Sequence, residues 1–144
     1  MNRVGIIGLG NVGASLLDGL SINNPECIIN CYDHRSNKNI NRSNINTIQQ
    51  CRTTEDIINN SDILFLCVRS KQVKDWLLEY HSSLKSKSVV FVQHDIILND
   101  LKKLVNSSKS SFFRIIPNIN ICVGLGHCVI LRDDKSKNYK LLYN

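Results

Sequence analysis

Three glycines near the N-terminus, Gly8, Gly10 and Gly13, are spaced G-x-G-x-x-G in the run Gly8-Leu9-Gly10-Asn11-Val12-Gly13. The run follows the strand-like stretch Arg3 to Ile7 and leads into Val12 to Leu20, which has helical spacing, so the glycines fall where a strand turns sharply into a helix. Each has its own task there. The first permits the tight turn, the second lets the backbone approach a pyrophosphate, and the third allows close packing of helix on strand. The helix N-terminus adds unpaired N–H groups and a partial positive charge, which suit a diphosphate. Asp33 ends the next apolar run, 20 residues after Gly13, where an acidic residue accepts hydrogen bonds from a ribose diol. Arg35 and Ser36 follow two and three residues later and suit an extra phosphate at the same place, Arg35 by charge-assisted hydrogen bonds and Ser36 by neutral ones. A turn capped by Asp33 beside a solvated Arg35 is the plain alternative. These residue types point to a dinucleotide cofactor, NADP or NAD, with the balance slightly toward NADP.

The elements that must position these residues are legible in the hydrophobic pattern. Val4 to Ile7, Cys27 to Tyr32, Ile63 to Val68, Val89 to Val92, Phe112 to Ile116 and Cys128 to Leu131 are short, rich in β-branched residues and nearly continuous. They read as buried parallel strands. Helices are expected between them. One runs through Val73, Trp76, Leu77, Tyr80 and Leu84 with Ser70 as N-cap, one covers Leu98 to Val105, and one starts near Thr53 with Asp56 at the capping-box position. Ser36 to Ile48 is dominated by Asn, Ser and Lys and reads as a loop. The alternation predicts an α/β fold: a doubly wound, mostly parallel sheet of Rossmann type in a single domain over residues 1–131, with 132–144 as a C-terminal tail whose Leu141, Leu142 and Tyr143 have something to pack on.

Composition narrows the function classes. With 144 residues, 42% of them hydrophobic, the chain can bury one substantial core but not two. The longest apolar run, Ile63 to Val68, is far too short to cross a bilayer, and the expectation is a cytoplasmic protein with no membrane partner. The six cysteines form no CxxC pair and have no zinc-ligand spacing, so no metal is expected and they read as packing residues in a reducing compartment. The net charge of +6 is spread over scattered lysines without an aromatic-interleaved platform, which argues against nucleic acid.

Four segments carry a resemblance to a known family. VGIIGLGNVG at Val4 to Gly13, DILFLCVRSKQV at Asp62 to Val73, FRIIPN at Phe113 to Asn118 and VGLG at Val123 to Gly126 resemble the opening strand and glycine loop, the D-hydrophobic-VKPQ-V segment, the R-x-MPN segment and the VGEG segment of the pyrroline-5-carboxylate reductases. Lactate and prephenate dehydrogenases share the GNVGAS character but not the later segments. The resemblance implies hydride transfer from NAD(P)H to a cyclic imine carboxylate, giving proline. It also implies that Leu9, Asn11 and Val12 line the pyrophosphate and ribose, that Val68 and Arg69 stand on the nicotinamide side, and that Pro117 and Asn118 close the cleft. Asn118 as a simple turn-former after Pro117 stands beside that reading.

The chain departs from the family pattern at the nicotinamide end. His94-Asp95 replace a small Ala-Gly, Ile119-Asn120 replace Thr-Pro, and Leu125 replaces a glutamate. The family's helical dimerisation domain, which supplies much of the substrate pocket, is expected to be absent from these 144 residues. Catalytic residues are therefore unassigned; His94 or His127 is of a residue type that can donate a proton, but a lone histidine is more often structural. An imine or carboxylate substrate, a homo-oligomer, or a partner chain bringing the helical domain are the partners implied. Three functions stay open: a reductase completed by another chain, a non-catalytic dinucleotide-binding or redox-sensing module, and a degenerate remnant.

Overall fold

The computed structural model describes residues 3–35, 47–105 and 110–132. They form seven strands, β1 (Arg3–Ile7), β2 (Ile28–Tyr32), β3 (Ile48–Gln50), β4 (Ile63–Leu66), β5 (Ser88–Phe91), β6 (Ser111–Pro117) and β7 (Cys128–Arg132). Four helices accompany them: α1 (Asn11–Asn23), α2 (Thr54–Asn59), α3 (Ser70–Tyr80) and α4 (Leu98–Val105). The sheet order is β3-β2-β1-β4-β5-β6-β7, parallel throughout except that β7 runs antiparallel to β6. Successive connections step outward in opposite directions from β1, so the strand order reverses between β1 and β4. In open α/β sheets the ligand crevice lies at that reversal, outside the carboxyl ends of the strands.

The strands read as continuous apolar runs because they feed two cores at once. Alternate side chains point to opposite faces. Ile7, Leu64, Leu66, Val89, Phe91 and Phe112 join Ile57, Ile58, Val73, Trp76, Leu77 and Val105 under α2, α3 and α4. Ile6, Ile63, Phe65, Val90, Phe113 and Ile115 pack with Leu9, Leu16 and Leu17 on the other face, under α1. The second face is completed by a 3-10 turn, Ile119–Val123, docked on α1. That docking depends on Gly19, where a Cβ would lie 1.9 Å from the Ile121 carbonyl oxygen.

Helix starts follow local chemistry. Thr53 caps α2 by accepting from the Asp56 N–H at 3.0 Å, and Asp56 returns the bond to the Thr53 N–H at 3.2 Å, so aspartate serves where the capping box usually has Glu or Gln. Ser70, in contrast, does not cap α3. The cap position falls on Arg69, whose N–H donates to Gln72 Oε1 at 3.2 Å, while the Ser70 hydroxyl donates to Asp95 Oδ1 at 2.6 Å. Leu84 lies past the end of α3, in the 3-10 turn His81–Leu84.

Three sequence expectations need correction. The last apolar run, Cys128 to Leu131, is neither buried nor parallel: β7 is an antiparallel edge strand with Val129 59% and Leu131 39% exposed. Cys128, which it carries, is exposed rather than a packing residue. A strand, β3, begins at Ile48, where the sequence reads as loop; Gln49 and Gln50 are exposed and leave no apolar signature. Ser36 and the loop residues through 46, and residues 133–144 of the tail, lie outside the described residues.

Phe112 is 1% exposed and meets Phe91 edge-on with ring centroids 5.5 Å apart. Phe112→Ala is expected to cost about 3–5 kcal/mol, read as a fall in the urea midpoint with an unchanged m-value. Leu125→Ser, at a position 76% exposed, should stay within about 0.5 kcal/mol of the parent.

Candidate functional site

At the strand reversal the turn from β1 into α1 is built by close backbone approach. Gly8 has φ +92°, a left-handed value that favours glycine, and a Cβ there would lie 2.8 Å from the Cys67 carbonyl oxygen. A Cβ on Gly13 would sit 1.9 Å from the Gly8 carbonyl oxygen, so α1 rests directly on the turn that precedes it. Gly10 differs from both. Its φ of −71° is open to any residue and nothing lies within 4 Å of the place its Cβ would occupy. What Gly10 provides is empty space in front of the α1 N-terminus, the room a diphosphate needs.

In front of this turn lies a cleft of about 730 Å³. Gly8, Gly10, Asn11 and Val12 form its floor, Asp33, His34 and Arg35 its wall from β2, and Val68, Arg69 and Gln93 its wall from β4 and β5. A hollow of about 330 Å³ adjoins it through Gly8, His34, Val68 and Gln72 and reaches Tyr32, Trp76 and Tyr80. Eight of the thirteen residues singled out in the sequence thus line one cavity: Gly8, Gly10, Asn11, Val12, Asp33, Arg35, Val68 and Arg69. Leu9 does not. Its side chain is 4% exposed in the core beneath the loop, and its backbone N–H faces Asp33. Gly13 is buried under the turn. Pro117 and Asn118 end β6 outside the cleft lining. Pro117 pairs with Cys128, and Asn118 Oδ1 accepts from the Asn120 N–H at 3.1 Å, capping the 3-10 turn.

Asp33 is the most heavily bonded side chain of the site. Its Oδ2 accepts from the Leu9 N–H at 2.7 Å and from Arg35 Nη2 at 3.1 Å, while Oδ1 accepts from Arg35 N at 2.9 Å and Nε at 3.0 Å. The carboxylate is only 3% exposed. The Arg35 hydrogen bonds hold it well below the usual carboxylate range, outweighing the opposing effect of burial, with help from the Arg35 and Leu9 N–H groups. Asp33 therefore stays ionised and paired at any physiological pH.

The wall from β4 and β5 contains residues that sequence reasoning passed over. Gln93, 6% exposed, donates through Nε2 to the carbonyls of Leu66 at 2.9 Å and Val68 at 2.6 Å, and so fixes the end of β4. A polar residue ending an apolar strand was the available signal. Next to it, the His94–Ile96 turn is held on both sides: Ser70 bonds Asp95, and Arg114 Nη1 donates to the carbonyls of His94, at 3.2 Å, and Ile96. Cys67, partly buried, also lines the cleft, and desolvation pushes its thiol up to about 12, so it is protonated and poorly nucleophilic at neutral pH. Among the described residues no group of three or more His, Cys, Asp or Glu side chains is placed to hold a metal ion, and no helix is long and apolar enough to cross a membrane.

Because the folded-state pKa of Asp33 is depressed, its pairing contributes stability that is fully present above the ordinary carboxylate value of 3.8 and is lost as pH falls through that value toward the folded one. The stability gap between the parent and Asp33→Asn should be constant above about pH 5 and narrow below that, as measured by urea melts from pH 7 to about pH 2.5.

Comparison with known proteins agrees with this geometry. Residues 3–93 match the family described as NADP oxidoreductase, coenzyme F420-dependent. The chain is 30% identical over 129 residues to the pyrroline-5-carboxylate reductase of Arabidopsis thaliana, an alignment covering 85% of this chain and 45% of that protein. Among solved structures it superposes on the Plasmodium falciparum pyrroline carboxylate reductase with NADP bound, with a TM-score of 0.82, 21% identity and coverage of 99% of this chain and 52% of that one. The Coxiella burnetii pyrroline-5-carboxylate reductase gives a TM-score of 0.81 at 20% identity, with 99% and 54% coverage. The reductive aminase of Aspergillus terreus in complex with NADPH and ethyl levulinate gives 0.73 at 15% identity, with 99% and 50% coverage. The chain thus spans about half the length of these relatives. Its glycine turn, its strand order and these matches together show that it belongs to the NADP oxidoreductase, coenzyme F420-dependent family, as a counterpart of the N-terminal half of the pyrroline-5-carboxylate reductases.

Proposed function

We propose that this chain is the NADP(H)-binding part of an oxidoreductase that reduces a cyclic imine carboxylate, of the pyrroline-5-carboxylate reductase type. The observation that carries the reading is the open space at Gly10, in front of the α1 N-terminus and at the strand reversal. Asn11 and Val12 begin α1 and line that space, and the N–H groups of a helix's first turn lack carbonyl partners four residues back, which favours a diphosphate there. Arg35 serves the adenosine end and the hollow beside Tyr32, Trp76 and Tyr80 takes the adenine. Val68, Arg69 and Gln93 border the nicotinamide end. Reduced nicotinamide held there supplies a hydride to an imine carbon. We assign the binding unit to residues 1–131, with 132–144 as a tail, and place most of the substrate pocket on a helical domain outside these 144 residues, brought by another chain or segment. Support for the NADP form comes from the Arg35 cation and from the NADP bound to the Plasmodium relative.

A second reading, a dinucleotide-binding or redox-sensing module without catalysis, is favoured by one feature. His94 and Asp95 occupy the nicotinamide end, and the turn that carries them is fastened by Ser70 and Arg114.

Titration with NADPH should give saturable quenching of Trp76 fluorescence, and ligand at a hundred times its dissociation constant should stabilise the fold by about 2.7 kcal/mol in a melt. Gly10→Asp fills only open space, so it should leave the fold intact and abolish binding. Loss of binding by the parent chain to both NADPH and NADH would overturn the reading. Imine-dependent oxidation of NADPH on adding a relative's helical domain separates the enzyme from the module.

A further inference from the structure

We infer that Asp33 acts on the cofactor through Arg35: it is a positioning residue that presets the Arg35 guanidinium for a ribose 2′-phosphate and, through Leu9, ties that choice to the glycine loop. This rests on the dinucleotide reading above. An ionised carboxylate has about four acceptor positions, and Asp33 meets four N–H donors, three from Arg35 and one from Leu9. A ribose diol that bonded to Asp33 would have to displace one of them, leaving a buried donor or acceptor unpaired. A phosphate displaces nothing. Two guanidinium nitrogens, Nε and Nη2, point at Asp33, and the rest of the Arg35 head, 56% exposed, faces out at the cleft wall. Arg69 and Lys71 line the same cleft, so an acid that would otherwise repel a phosphate is neutralised within a basic rim.

The geometry also explains why the residue is an aspartate. Holding an arginine in one rotamer before the ligand arrives removes an ordering cost from binding, and a bidentate fork does this better than a single bond. The same carboxylate fixes the Leu9 N–H, one residue before Gly10. Phosphate selectivity and the shape of the diphosphate loop then share one anchor.

Dissociation constants for NADPH and NADH, taken from Trp76 fluorescence on the parent chain and two variants, test this. Asp33→Asn keeps a carbonyl for Leu9 but loses the charged fork; NADPH should weaken roughly tenfold while NADH changes little. Arg35→Met at an exposed position should weaken NADPH roughly 10–100-fold and tighten NADH, because the freed carboxylate can then accept a diol. Equal weakening of both cofactors by Asp33→Asn would show a merely structural residue, and a gain in NADPH over NADH would show a ribose reader; either overturns the inference. If Asp33→Asn fails to fold, an unchanged NADPH-to-NADH ratio in Arg35→Met overturns it equally. Failure of the parent chain to bind either cofactor would instead count against the dinucleotide reading, and is seen before any variant is made.

Discussion

The rest of the site depends on one steric constraint, the approach of α1 to the end of β1. Gly13 lies against the Gly8 carbonyl and Gly8 against the Cys67 carbonyl, so helix, turn and the end of β4 meet with no side chain between them. The contact is backbone on backbone, and no rotamer change can relieve an added methyl group. It sets the direction of α1 relative to the sheet and aims the unpaired N–H groups of its first turn into the cleft. Diphosphate affinity in this fold is therefore a property of packing before it is one of charge.

The polar residues around the cleft divide by what they hold. Gln93 and Arg114 are occupied with backbone, Gln93 at the end of β4 and Arg114 at the turn after β5, while Asp33 divides its bonds between the Leu9 and Arg35 N–H groups and the Arg35 guanidinium. Their bonds make the walls rigid where the chain leaves regular structure, which is where backbone groups would otherwise need water. Arg35, Arg69 and Lys71 are exposed and carry positive charge to the rim. An anion entering the cleft meets preset donors and a favourable field, and reorganises little.

How much of this could be read from the sequence depended on whether the information was local. The glycine turn was legible because each glycine answers a short-range steric demand. The two-sided strands were legible because β-branched runs with no polar alternation imply burial on both faces. β3 was not, since Ile48-Gln49-Gln50 holds one apolar residue and exists by pairing with β2. The direction of β7 was within reach: residues 118–127 are too few for the dozen or more that a parallel crossover needs, so β7 had to return beside β6. The Asp33 network was not legible, because the residue types allow a ribose ligand and an arginine clamp equally. Only the turn after β2, which folds Arg35 back over its neighbour, separates them. Asn118, read as a turn-former or a cleft residue, accepts locally from the Asn120 N–H.

The seat of Ile121 against Gly19 gives α1 a second fixed point. The helix is held at its N-terminus by the glycine turn and at mid-length by the backbone that follows β6. In mechanical terms α1 is a strut braced at two places, its 13 residues running from the diphosphate floor past the 3-10 turn that follows β6. A load applied at that turn reaches the cleft along the helix, without having to deform β4 and β5, the two strands between β1 and β6.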